Sequence, residues 1–90
     1  MQQINKENEK NIIIALGKIT KELREKRNLS LNIFSFENDL QKSLVSRIEN
    51  GKNEPKLISL WKISEGLEIK LSELIGLLEE NLGEDFKLNY

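Results

Sequence analysis

The chain has 90 residues with neither cysteine nor histidine, enough for one small domain and one modest core. Disulfides and thiolate metal sites are excluded, and the commonest general base and metal ligand is missing, so no enzyme activity, metal or other cofactor is expected. The formal net charge is −1, which by itself argues against a nucleic-acid partner.

The longest apolar run, Ile12-Ile13-Ile14-Ala15-Leu16, falls far short of the ~20 residues of a membrane span. The start, Met1 to Lys6, lacks the apolar core of a signal peptide. No membrane association and a cytoplasmic location are therefore expected. Residues 1–8 are expected to be a flexible leader.

Apolar residues then recur with helical spacing along nearly the whole chain. Ile12/Ile13, Leu16, Ile19/Thr20 and Leu23 form one stripe, predicting a first helix over about Glu9–Arg27. Asn28 suits its end, because Asn tolerates a left-handed backbone. Ser30 can cap a short second helix over about Leu31–Glu37, and Asn38-Asp39 breaks it. A third helix is predicted over about Gln41–Glu49, with Leu44, Val45 and Ile48 inward and Asn50-Gly51 ending it. After a loop containing Pro55, a fourth helix (about Leu57–Glu65) turns Leu57, Leu60 and Ile63 inward, in line with Leu67 beyond its end. A fifth (about Leu71–Asn81) does the same with Leu71, Leu74, Ile75 and Leu78. Residues 83–90 show no period and are expected to be a loose tail. No stretch alternates long enough to be a strand. The expected fold is all-α, one domain over residues 9–82.

The distribution of charge is more informative than its sum. From Ile12 to Asn53 eight Lys/Arg face five acids, a net of +3, whereas Glu54 to Tyr90 carries −4. A basic first half suggests a side that faces a polyanion; chance scatter is the competing reading.

Leu29 to Pro55 is the informative segment. A short capped helix, a turn of about three residues and a second helix ended by Asn-Gly is the layout of a DNA-reading helix-turn-helix. A helix 10–12 Å wide fits the major groove of B-DNA. The outer surface of the second helix reads Gln41, Lys42, Ser43, Ser46, Arg47 and Asn50, side chains that reach base edges and phosphates.

These residues resemble a known family. Leu16-Gly17, Leu23-Arg24, Leu29-Ser30, Phe34-Ser35, Leu40, the string Val45-Ser46-Arg47-Ile48-Glu49-Asn50-Gly51-Lys52, Asn53 with Pro55, then Leu60, Ile63, Leu67 and Leu74-Ile75 are similar to the Cro/CI-type (XRE) helix-turn-helix regulators. Among them the chain is similar to small stand-alone regulators such as the controller proteins of restriction–modification systems. The run Ser30–Gly51 aligns without gaps. The resemblance implies a five-helix lambda-repressor-like domain of a bacterial transcriptional regulator. It implies that Gln41, Lys42 and Ser43 enter the major groove. Ser46 and Arg47 are then positions that touch bases or phosphate, and Asn50 and Lys52 are phosphate contacts. Arg24 and Glu49 match a partly buried structural ion pair.

The sequence departs from the pattern at four places. Leu31 stands where Gln or Thr usually holds a phosphate, and Asn32 is the expected substitute. Asp39 stands where the turn usually has Gly, at a strain of about 1 kcal/mol; capping of the third helix is a second role open to it. Thr20 replaces an aliphatic core residue. Leu31, Ile33 and Phe36 make helix 2 unusually apolar, either as a protein-binding patch or as ordinary scatter.

One reading helix covers only a few base pairs, so a homodimer on two half-sites of double-stranded DNA is expected. Ile58, Trp61, Leu77, Leu78 and Leu82 are the candidates for a symmetric contact. The alternative is a protein-interaction module on the same fold, antitoxin-like or a regulator of a partner protein.

Overall fold

The computed structural model describes residues 6–89. It contains five helices and, among those residues, no strand: α1 (Lys6–Lys26), α2 (Leu31–Glu37), α3 (Lys42–Glu49), α4 (Leu57–Gly66) and α5 (Leu71–Leu82). The all-α expectation holds. Helix 1 starts at Lys6, three residues before the expected Glu9, with Glu7 and Glu9 in its first turn complementing the helix dipole. Residues 6–8 are thus helical rather than part of a leader. The remainder of that expected leader lies outside the described residues.

The core joins all five helices: Ala15 and Leu16 from α1, Phe34 from α2, Val45 and Ile48 from α3, Ile63 with the adjacent Leu67 from α4, and Leu74 and Leu78 from α5. Each fully buried Leu, Ile or Phe contributes about 1.5–3 kcal/mol. Helix 1 packs on both α3 and α5, while α2 packs on α3 and α4 on α5. Thr20 is fully buried and its hydroxyl meets no hydrogen-bond partner, an unfavourable choice for a core position that a methyl group would fill.

Residues 84–89 do not hang free. Asn8 Nδ2 donates to the Lys87 carbonyl at 2.7 Å, and Leu88 lines a cleft of about 320 Å³ with Ile12, Ile13, Leu16 and Pro55. The tail therefore lies back on α1, in contrast to the loose tail expected from its lack of periodicity.

Four helices end in the same way. A left-handed residue follows the last turn, and two closing bonds satisfy the last carbonyls. After α1 the left-handed residue is Asn28 (φ 57°), after α2 Asp39 (φ 54°), after α3 Gly51 (φ 70°) and after α4 Glu68 (φ 59°). In the turn between α2 and α3, Asp39 N–H donates to Phe36 O at 3.3 Å and Leu40 N–H to Ser35 O at 2.9 Å. Asp39 is therefore strained as expected, but it does not cap α3. The cap position belongs to Gln41, and the Asp39 carboxylate pairs with Lys62 Nζ at 3.1 Å. That pair is exposed and contributes little. Asp39→Gly is expected to stabilise the fold by about 0.5–1 kcal/mol, relief of strain outweighing the lost surface pair. Urea midpoints would show it, and a lower midpoint would refute it.

Candidate nucleic-acid interface

Helix 3 divides cleanly into two faces. Positions 44, 45, 48 and 49 turn toward the protein, with Val45, Ile48 and Glu49 buried. Positions 42, 43, 46, 47 and 50 share the opposite face. There Lys42, Ser43, Arg47 and Asn50 are exposed and Ser46 is half-buried. Gln41 is exposed at the N-terminal end and Lys52 just beyond the C-terminal end. Asn32 is exposed on α2. All eight residues expected to meet DNA thus reach solvent, and those of α3 form one polar, cationic surface.

The helix before it sets its angle. Ser30 Oγ accepts from Ile33 N–H at 3.1 Å and caps α2. Phe34, fully buried, anchors α2 to the core. Its neighbours Ile33 and Phe36 are then forced outward, 50% and 88% exposed. Leu31, half-buried, packs against the edge of the core.

A buried ion pair fastens α3 to α1. Arg24 Nε donates to Glu49 Oε2 at 2.8 Å and Arg24 Nη2 to Oε1 at 2.9 Å. The third nitrogen, Nη1, donates to Leu29 O at 2.8 Å. This two-pronged geometry is the strong form of the interaction. The Glu49 carboxylate, hydrogen-bonded to the guanidinium, raises the Arg24 pKa above its ordinary value against the opposing effect of burial. Both charges are satisfied and turned away from the exposed face, so the pair is structural.

The structure adds roles beyond the expected ones. Gly17 lets the backbones of α1 and α3 touch: a Cβ there would lie 2.8 Å from Glu49 O and closer still to Ile48 O. Arg27 Nη1 donates to Gly66 O at 2.6 Å, and the same guanidinium pairs with Glu68. Arg27 thereby ties the end of α1 to the end of α4. Asn50 Nδ2 donates to Ser46 O at 2.8 Å, so part of its amide is committed to its own helix. Neither the Gly17 contact nor the Arg27 tie leaves a periodic trace in the sequence.

The proposed symmetric-contact residues divide. Ile58 (66% exposed), Trp61 (50%) and Leu77 (38%) are on the surface. Leu78 is not available: it is buried in the core, because Leu74 and Leu78 share the inner face of α5 and Leu77 is turned off it. Leu82 is half-buried against the core. Leu57, expected inward, is 61% exposed at the start of α4. Trp61 and Ile75 border an open groove of about 950 Å³ between α4 and α5.

Among the described residues no group of three or more acids comes together as a metal site, and no helix is long and apolar enough to cross a membrane.

A capped short helix, a left-handed turn and an eight-residue helix with a polar cationic outer face define a helix-turn-helix domain. The chain belongs to the helix-turn-helix family HTH_3, whose model matches residues 21–74, a family of DNA-binding transcriptional regulators rather than enzymes. It is 46% identical over 70 residues to the control protein C.MunI of Mycoplasma sp, covering 77% of this chain and 95% of that protein. It is 31% identical over 65 residues to the regulator SutR of Escherichia coli K12, covering 72% of this chain but only 36% of that one. Among solved structures, the restriction–modification controller protein C.AhdI of Aeromonas hydrophila superposes with a TM-score of 0.66 at 29% identity, over 69% of this chain and 94% of that one. The wild-type restriction–modification controller C.Esp1396I shares the fold, with a TM-score of 0.70 at 21% identity, over 82% of this chain and 96% of that one.

Proposed function

We propose that the chain binds double-stranded DNA sequence-specifically as a homodimer and regulates transcription as a restriction–modification controller protein. The observation that carries this reading is the exposed face of α3. It presents Lys42, Ser43, Arg47 and Asn50 together, with Gln41 at its tip, on a helix fastened by a buried ion pair. The N-terminal residues of such a helix reach base edges in the major groove. Gln41 offers a bidentate match to adenine and Lys42 a match to guanine. Asn32, Asn50 and Lys52 flank them and address phosphates.

A second copy docks through the exposed apolar residues of the acidic half, Ile58, Trp61 and Leu77, pairing two α3 helices with two half-sites. The acidic half then faces away from DNA, which reconciles a slightly negative chain with a polyanion partner. The exposed Ile33 and Phe36 on α2 favour an additional protein partner at that face.

Lys42→Ala and Arg47→Ala are expected to weaken binding to the selected operator at least tenfold, about 1.4 kcal/mol or more, with melting temperatures unchanged. Each substitution that removes a phosphate contact also lowers the steepness of the salt dependence by about 1. Site selection from a random DNA pool followed by titration at several salt concentrations measures both. Undiminished operator affinity in both variants would refute the assignment.

A further inference from the structure

Arg47 is held at both ends by the loop that follows α3. Its carbonyl accepts from Lys52 N–H at 2.9 Å. With the Asn53 amide turned to satisfy its neighbours, the Asn53 side-chain oxygen accepts from Arg47 Nε at 3.1 Å and its nitrogen donates to Lys52 O at 2.9 Å. Asn53 is half-buried while Arg47 is exposed. The loop therefore fixes a guanidinium that would otherwise sweep through solvent.

A guanidinium offers two edges to a pair of acceptors: one made by Nε with one terminal nitrogen, the other by the two terminal nitrogens. With Nε engaged by Asn53, only the terminal edge can make a two-pronged contact. Arg47 is the sixth of the eight residues of α3, so its Cα lies about 7.5 Å along the helix from the groove-entering end. That places it toward the strand backbone rather than the groove floor.

The geometry points to Asn53 as a positioning residue that presents the terminal edge of Arg47 to the oxygens of one DNA phosphate. The inference rests on the DNA-binding reading above and deepens it. Ordering a long side chain before binding removes a cost otherwise incurred in the complex.

The test is a double-mutant cycle on the selected operator with Asn53→Ala, Arg47→Ala and the pair. Asn53→Ala is expected to weaken binding about three- to tenfold in the unmodified chain and to have no further effect when Arg47 is already alanine. The loss should be the same on operator variants differing at each base position, as a phosphate contact requires. In the free protein the Arg47 Nε–H resonance should be protected from exchange and lose that protection in Asn53→Ala. Equal losses in both backgrounds, no loss in either, or an unprotected Nε–H would overturn the proposal. A loss confined to one base pair would move the contact from phosphate to a base edge and overturn it in that form. No selective binding by the unmodified chain would overturn the DNA-binding reading itself, and this inference with it.

Discussion

Glu49→Ala is expected to lower stability by about 3–5 kcal/mol, the cost of leaving a buried charge without its partner. Arg24 would retain only the bond from Nη1 to Leu29 O, with two donors facing an apolar cavity. A 90-residue domain has a total stability of about 5–13 kcal/mol, so the variant would stand at the edge of folding. In thermal denaturation the midpoint should fall by about 12 °C or more. The companion experiment separates the lost pair from lost packing. Arg24→Met combined with Glu49→Leu removes both charges and should recover most of the stability, because an apolar replacement of a buried pair is often neutral. An unchanged midpoint in Glu49→Ala would show that the pair does not bear on the fold.

Gly17→Ala is the second large effect. The added methyl group would meet the carbonyl oxygens of Ile48 and Glu49. These are backbone atoms at the end of α3 and cannot rotate aside as a flexible side chain would. Gly17, Thr20 and Arg24 lie along one stripe of α1, so parting the helices at Gly17 also strains the ion pair two turns on. A loss of about 3 kcal/mol, at the upper end for overpacking, is expected. Urea denaturation would measure it, and Gly17→Val should be worse. Gly76 is the control, since a Cβ there would meet nothing within 4 Å. If Gly17→Ala is no more destabilised than Gly76→Ala, the close approach of α1 and α3 is wrong.

How legible these features were depends on the range of the interaction that produces them. Helix boundaries at Asn28, Ser30, Asn38 and Gly51 follow from local backbone chemistry and are where the sequence places them. The start of α1 at Lys6 does not follow from periodicity, because Lys6-Glu7-Asn8 carries no apolar stripe; the one local cue is that Asn5, the residue before it, is of a type that favours helix N-caps. Leu77 and Leu78 are equally apolar neighbours, and only the packing of α5 decides which one enters the core. Arg24 and Glu49 lie 25 residues apart; nothing in their spacing pairs them, and family resemblance did. Gly17 belonged to the same resemblance, but its reason, contact with the α3 backbone, exists only once two helices are docked. Lys62 with Asp39, and Asn53 with Arg47, are pairings of common polar residues and left no signal at all.

The shortness of the two motif helices has a consequence for the lifetime of the active species. Helices of seven and eight residues do not persist in water without tertiary support, since isolated helices below about 12–15 residues are marginal. The surface proposed to face DNA therefore vanishes whenever the core opens. Once α3 loses its packing on α1 and α2 it has no support of its own, so the amount of competent protein follows the amount of folded protein. Proteases that clear unfolded chains would then set the dose of this protein directly, and a loss of about 1–2 kcal/mol anywhere in the core would act as a change in dose rather than a change in specificity.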